Sequence, residues 1–143
     1  MNRADGEGVS AVLVDLDGTL ALRNGRSPYD WGSVSDDLVN EPVVRVIQTL
    51  ADSGLRVLVV SGRDEVCRNA TEAWLNSNLR REFALFMRPQ GDNRRDEELK
   101  RDIWEQHIRD RYVVTAAFDD RNRCVALWRS LGIPTFQVAD GDF

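Results

Sequence analysis

Five short apolar runs punctuate the chain, and polar residues follow each of the first four. Val9–Val14 (VSAVLV), Leu55–Val60 (LRVLVV), Phe83–Met87 (FALFM), Arg111–Phe118 (RYVVTAAF) and Ile133–Val138 read as strands; the first two are continuous enough to be buried on both faces. Helical patterns lie between them. Pro42 opens one helix, with Val43, Val44, Val46, Ile47 and Leu50 along a face, and Gly54 closes it. A second helix runs from Asp64 to about Asn78 and carries Val66, Ala70, Ala73 and Trp74. A third runs from Asp96 to Arg109, with Leu99, Ile103, Trp104 and His107 three or four apart; this spacing puts His107 on the apolar side. A fourth spans Arg121 to Ser130. Leu20–Glu41 reads as irregular, because Asn24-Gly25, Ser27-Pro28 and Trp31-Gly32 are turn signals. Strands alternating with helices predict an α/β fold: a Rossmann-like, open, mostly parallel five-stranded sheet with helices on both faces.

The 143 residues suit one domain. Residues 1–8 are polar and glycine-rich and are expected to form a flexible tail, with the domain spanning 9–143. No apolar run approaches the ~20 residues that span a bilayer, and the start lacks the pattern of an export signal. The expectation is a cytoplasmic protein with no membrane partner. Cys67 and Cys124 are then free thiols, and a zinc site is disfavoured because His107 is the only histidine. The net charge of −5 argues against extensive nucleic-acid contact. Against that, 18 of the 19 basic residues are arginine, a bidentate partner for phosphate, and Lys100 is the lone lysine.

In open parallel sheets, ligands bind at the carboxyl ends of the strands, so the residues there carry the functional reading. The first strand runs into Asp15-Leu16-Asp17-Gly18-Thr19, the second into Ser61-Gly62-Arg63, the third into Arg88 and the fourth into Asp119-Asp120-Arg121. Extended alternation puts Asp15 and Asp17 on one side of the chain. Carboxylates so close repel unless a metal intervenes, and magnesium prefers oxygen ligands. Asp15, Asp119 and Asp120 could supply them. Ser61-Gly62-Arg63 offers a hydroxyl, a backbone N–H at a helix start and a guanidinium, a set suited to phosphate oxygens. Lys100, one turn into its helix, reads by position alone as a solvated surface lysine.

Together these residues resemble the four motifs of the haloacid-dehalogenase-like (HAD-like) phosphatases. Asp15–Thr19 is similar to motif one, Ser61 to motif two, Lys100 to motif three and Asp119-Asp120 to motif four. The resemblance implies a magnesium-dependent phosphomonoesterase. Asp15 would be the nucleophile that forms an aspartyl-phosphate, and Asp17 the general acid–base. Magnesium would be held by Asp15, the backbone carbonyl of Asp17, and Asp119 or Asp120. Ser61 and Lys100 would bind the phosphoryl group, with Thr19 positioning Asp17. Many relatives carry a cap domain; here about 20 residues separate motif one from the first helix, so no large cap is expected and the site would be open to a large substrate.

A narrower resemblance lies in the loops. Arg26–Asp30 (RSPYD), Val59–Arg63, Gln90-Gly91-Asp92 with Arg94, Arg95 and Asp96, Asp119–Arg121, and the carboxyl-terminal QVA…GDF are similar to the 3′-phosphatase domain of T-even-phage-type polynucleotide kinase–phosphatases. This implies removal of 3′-phosphates, and of 2′,3′-cyclic phosphates, from RNA or DNA ends during repair. Arg26, Arg63, Arg88 and Arg121 would then steer terminal phosphates, with Asp96 orienting Lys100 or an arginine. The alternative is a small phosphate ester or a phosphoprotein as substrate on the same scaffold. A nucleotide-binding Gly-x-x-x-x-Gly-Lys-Ser/Thr loop is missing from the sequence. The chain would then be either a free-standing phosphatase, which the start at Met1 favours, or an excised domain, and a separate kinase or ligase is a candidate partner.

Overall fold

The computed structural model describes residues 8–143; apart from Gly8, the expected tail lies outside the described residues. Five strands form one parallel sheet: β1 (Val9–Val14), β4 (Arg56–Asp64), β5 (Phe83–Arg88), β6 (Tyr112–Asp119) and β7 (Thr135–Gln137), in the order β5-β4-β1-β6-β7. The helices are α1 (Glu41–Asp52), α2 (Arg68–Asn78), α3 (Asp96–Ile103) and α4 (Asn122–Ser130). The α/β architecture with helices on both faces is the one the sequence predicts.

Alternation along β1 explains the two-faced core. Val12 and Val14 face one layer, where Val44 and Ile47 of α1 and Trp74 and Leu75 of α2 pack. Ala11 and Leu13 face the other, against Leu99 and Ile103 of α3 and Leu127 and Trp128 of α4. All four β1 residues are fully buried, so the strand is apolar throughout. The strand order reverses at β1, which has β4 on one side and β6 on the other. Ligand crevices form at such reversals. No cap domain interrupts the described residues, and among them no helix is long and apolar enough to cross a membrane.

Three local expectations are corrected. Leu20–Glu41 is not wholly irregular: β2 (Ala21–Leu22) and β3 (Leu38–Val39) pair antiparallel, and a 3-10 turn spans Trp31–Asp36. Ser61-Gly62-Arg63 is not a helix start. β4 continues through it to Asp64 with a register shift against β5, and a 3-10 turn (Glu65–Cys67) capped by Asp64 precedes α2. The Arg63 side chain is drawn into a buried ion-pair network, which holds that segment extended. The third helix changes pitch after Ile103: Trp104–Ile108 forms a π turn closed by Arg109 N donating to Trp104 O at 2.8 Å. The extra residue per turn buries Ile108, five positions after Ile103. His107 is thereby left exposed, its ring stacked on Phe86 with centroids 5.6 Å apart.

Candidate active site

Asp15 leaves the carboxyl end of β1, and its backbone N–H still pairs with Phe118 O of β6 at 2.9 Å. β6 ends at Asp119, with Asp120 next in the chain. Adjacent parallel strands therefore deliver Asp15, Asp119 and Asp120 to one place, where one oxygen of each lies within 4.8 Å of the others and all three residues are buried. Lys100 reaches in from α3. Its Nζ donates to Asp15 Oδ1 at 2.9 Å and to Asp119 Oδ2 at 3.0 Å. The lysine that position alone would leave on the surface is in fact 1% exposed. Trp128 Nε1 also donates to Asp119 Oδ2 at 3.1 Å, fixing that carboxylate from the α4 side.

The charges do not balance within this cluster. Burial, and then the neighbouring Asp119, push the Asp15 carboxyl well above the usual carboxylate range, and Lys100 only partly offsets them. Burial also raises Asp120. For Lys100, burial acts to lower the pKa, but Asp119 and Asp15 together outweigh it and hold the ammonium charged. Three buried carboxylates facing one ammonium are an oxygen donor set with unmet negative charge. A divalent cation fits this set, because its charge would allow all three to stay ionised.

Gly18 makes the approach possible. Its φ of +83° lies in the left-handed region, and a Cβ there would collide with the Asp120 carboxylate. Thr19 Oγ1 contacts Asp15 Oδ2 at 3.2 Å and Asp120 Oδ1 at 3.3 Å. Thr19 therefore positions Asp15 and Asp120; it was expected to position Asp17.

The Asp17 carboxylate is not part of that group. It turns to Arg63, whose Nε donates to Oδ2 at 2.9 Å and whose Nη2 donates to Oδ1 at 2.8 Å; Arg26 Nη2 adds a bond to Oδ1 at 3.1 Å. Behind both arginines sits Asp37, which accepts from Arg26 Nε (2.8 Å), Arg26 Nη2 (2.9 Å) and Arg63 Nη2 (2.6 Å). Its hydrogen bonds are the leading cause of the raised Arg26 pKa. Thr71 and Ser27 take one further bond each, so each guanidinium spends four hydrogen bonds inside the protein. Five N–H donors are available per arginine, which leaves little of Arg26 or Arg63 free to clamp a phosphate. In this geometry they hold Asp17.

Asp37 is the site residue that sequence reasoning missed. It sits in the segment expected to be irregular, outside every motif. Its backbone is fixed by Trp74 Nε1 donating to Asp37 O at 2.9 Å. The available signal was a pair of acids, Asp36-Asp37, directly before the short strand β3.

On the other wall, Arg88 makes four bonds, to Gly62 O (2.9 Å), Asp92 O (3.2 Å), Arg94 O (2.5 Å) and Asp96 Oδ1 (2.6 Å). Asp96 also pairs with Arg121 Nη1 at 3.2 Å. Asp96 thus orients two arginines and does not touch Lys100. Ser61 is fully buried, its Oγ accepting from Arg63 N at 3.0 Å. Ser61, expected to bind phosphate, does not line the cavity of about 830 Å³ that exposes Asp15, Asp17, Lys100, Asp119 and Asp120 together. The volume is in the range of small-molecule sites.

Residues 9–143 match the family described as the polynucleotide kinase PNKP phosphatase domain. The chain belongs to that family. It is the HAD-like phosphatase domain of the polynucleotide kinase–phosphatases, as the loop strings implied. It is 39% identical over 128 residues to a protein of Autographa californica nuclear polyhedrosis virus described as a bifunctional polynucleotide kinase/RNA ligase, covering 87% of this chain and 18% of that protein. Among solved structures, it resembles a chain of the Pnkp1/Rnl/Hen1 complex (TM-score 0.90, 39% identity, 95% of this chain and 48% of that one). A second structure, of the Pnkp1/Rnl/Hen1 RNA repair complex, gives a TM-score of 0.91 at 40% identity, over 94% of this chain and 44% of that one. The chain thus spans less than half the length of these relatives. The D,D-heptose 1,7-bisphosphate phosphatase of B. bronchiseptica, solved with magnesium and phosphate, shares the fold at 17% identity (TM-score 0.66, 90% of this chain and 79% of that one).

Proposed function

We propose that residues 9–143 form a magnesium-dependent polynucleotide 3′-phosphatase that removes 3′-phosphate from RNA or DNA ends. The observation that carries this reading is the buried Asp15–Asp119–Asp120 group with Lys100 between two of its members, at the floor of an open cavity. Membership of the PNKP phosphatase family supports the polynucleotide substrate.

Asp15 attacks phosphorus through a carboxylate oxygen, and the bond to the 3′-oxygen breaks, giving an aspartyl-phosphate and a free 3′-hydroxyl. Asp17 gives the leaving oxygen its proton and later takes one from the water that hydrolyses the intermediate. Arg63 and Arg26 aim the Asp17 carboxyl and keep it apart from the Asp15 group. Magnesium, held by Asp15, Asp119 and Asp120 with the Asp17 carbonyl, would neutralise charge on the transferring phosphoryl oxygens. Lys100 meets the same charge from α3, and Ser61 braces the Arg63 backbone behind the cavity wall. Two of the relatives sit in an RNA repair complex and one is described as a kinase/ligase. By analogy, we assign the chain a place in end healing alongside kinase or ligase activity. Both cysteines are free and buried, which suits a reducing compartment such as the cytoplasm.

The test is phosphate release, with and without magnesium, from a 3′-phosphorylated oligonucleotide and from glycerol phosphate. The reading predicts a strong, metal-dependent preference for the oligonucleotide. An equal or better rate on glycerol phosphate would point to a small-ester phosphatase.

A further inference from the structure

Of the four arginines expected to meet substrate, three spend four hydrogen bonds each inside the protein. Arg121 differs. Its guanidinium makes one side-chain ion pair, to Asp96, and lies over the ring of Phe143, with Cζ 4.7 Å from the centroid. Phe143 is itself unusual: its ring lines the same cavity as Asp15 and Lys100, yet it is 58% exposed. Among the described residues, the ring's stacking contact is with the Arg121 guanidinium.

The ring is held in place from behind. Gly141 is buried against the Asp120–Arg121 backbone, where a Cβ would collide with Asp120 O. Asn122 N donates to Gly141 O at 2.9 Å, Phe143 N donates to Gly141 O at 2.9 Å, and Arg123 Nη2 donates to Phe143 O at 3.1 Å. The segment carrying Phe143 is thus fastened to the turn that carries the Asp120 carboxylate. A ring so fastened keeps a fixed offset from the reacting centre. One face is covered by a cation, and the exposure of the ring leaves the rest open to solvent.

We infer that Phe143, backed by Arg121, is the stacking platform for the base of the 3′-terminal nucleotide, with Asp96 holding Arg121 in place. The inference rests on the polynucleotide reading proposed above. Every base has a π face, so such a platform grips an end without selecting sequence. It also suits an acidic protein, because affinity then comes from one stacked base at the end and not from a long track of backbone phosphates.

The test compares wild type, Phe143→Ala, Phe143→Trp and Tyr29→Ala on two 3′-phosphorylated oligonucleotides. One ends in an ordinary nucleoside; the other ends in an abasic tetrahydrofuran nucleoside. Phe143→Ala is expected to raise KM on the ordinary end about tenfold more than on the abasic end, with kcat changing less than KM. Phe143→Trp is expected to restore KM, which a general structural role for the side chain would not predict. Equal losses on both ends would overturn the inference. So would a base-dependent loss in Tyr29→Ala with none in Phe143→Ala, because the base would then lie against Tyr29, which lines the same cavity. If wild type prefers the oligonucleotide over glycerol phosphate but Phe143→Ala shows no base dependence, the platform fails and the polynucleotide reading stands. If wild type shows no such preference, both fail.

Discussion

Asp17 is held by Arg63 in a two-point ion pair, Nε to Oδ2 at 2.9 Å and Nη2 to Oδ1 at 2.8 Å. The Arg63 side chain is fully buried, while the Asp17 side chain is 36% exposed toward the cavity. The arginine therefore acts as a fixed mount, and the carboxyl it carries is the part that substrate can meet. Lysine keeps the charge and loses the planar fork. Arg63→Lys is expected to lower kcat about a hundredfold with a smaller change in KM, read by steady-state kinetics on a 3′-phosphorylated oligonucleotide. A kcat within a few-fold of wild type would mean that the two-point geometry is not needed.

Asp37 anchors the same mount from behind. Its side chain has no solvent exposure, and it faces Arg26 and Arg63, whose side chains are 3% and 0% exposed. Removing one partner of a buried pair costs about 3–5 kcal/mol. Asp37→Ala is accordingly expected to lower Tm by roughly 10 °C and to depress activity through Asp17. Calorimetry checks the first effect. An unchanged Tm would contradict the burial argument.

The carboxylate group predicts metal-linked stability. A cation that binds only the folded chain stabilises it by mass action, about 2.7 kcal/mol at a hundredfold excess over Kd. Thermal denaturation of wild type should shift upward with added magnesium and reverse with chelator. Asp120→Asn should respond much less. An equal shift in both proteins would place the ion elsewhere.

Much of this was legible in the sequence because it depends on local pattern. Strand ends carrying Asp15, Ser61, Arg88 and Asp119 follow from period-two and period-3.6 signals, and the topology then brings those ends together. Asp37 was not legible, because its role comes from two arginines 11 and 26 positions away and from the Trp74 indole. Lys100 looked solvated for the same reason, since both its carboxylate partners are distant in sequence. The extended path of Ser61–Asp64 was misread as a helix start, because the signal of a Ser-Gly cap is local and the pull of Arg63 into a buried pair is not. The π turn at Trp104 escaped because periodicity presumes a constant pitch. Burial of Ile103 and Ile108 together requires one that changes.

Alkaline stability should depend on Cys124. Burial pushes its thiol up to about 12 from an ordinary 9.0. Between those values the unfolded chain has released the proton and the folded chain still holds it, so stability falls as pH rises across this window. Cys124→Ala is expected to flatten the decline in Tm between pH 9 and about 11. Parallel curves for the two proteins would show that the thiol does not contribute.

The most direct test of the account is single-turnover transfer from an oligonucleotide bearing a radiolabelled 3′-phosphate. Asp15 attack predicts transient label on the protein that survives acid and is released by hydroxylamine, as an acyl phosphate would be. The label should be absent from Asp15→Asn and prolonged in Asp17→Asn, with both variants folded by calorimetry. Phosphate release by folded Asp15→Asn at the wild-type rate, or protein label that persists in that variant, would contradict the assignment of Asp15 as nucleophile.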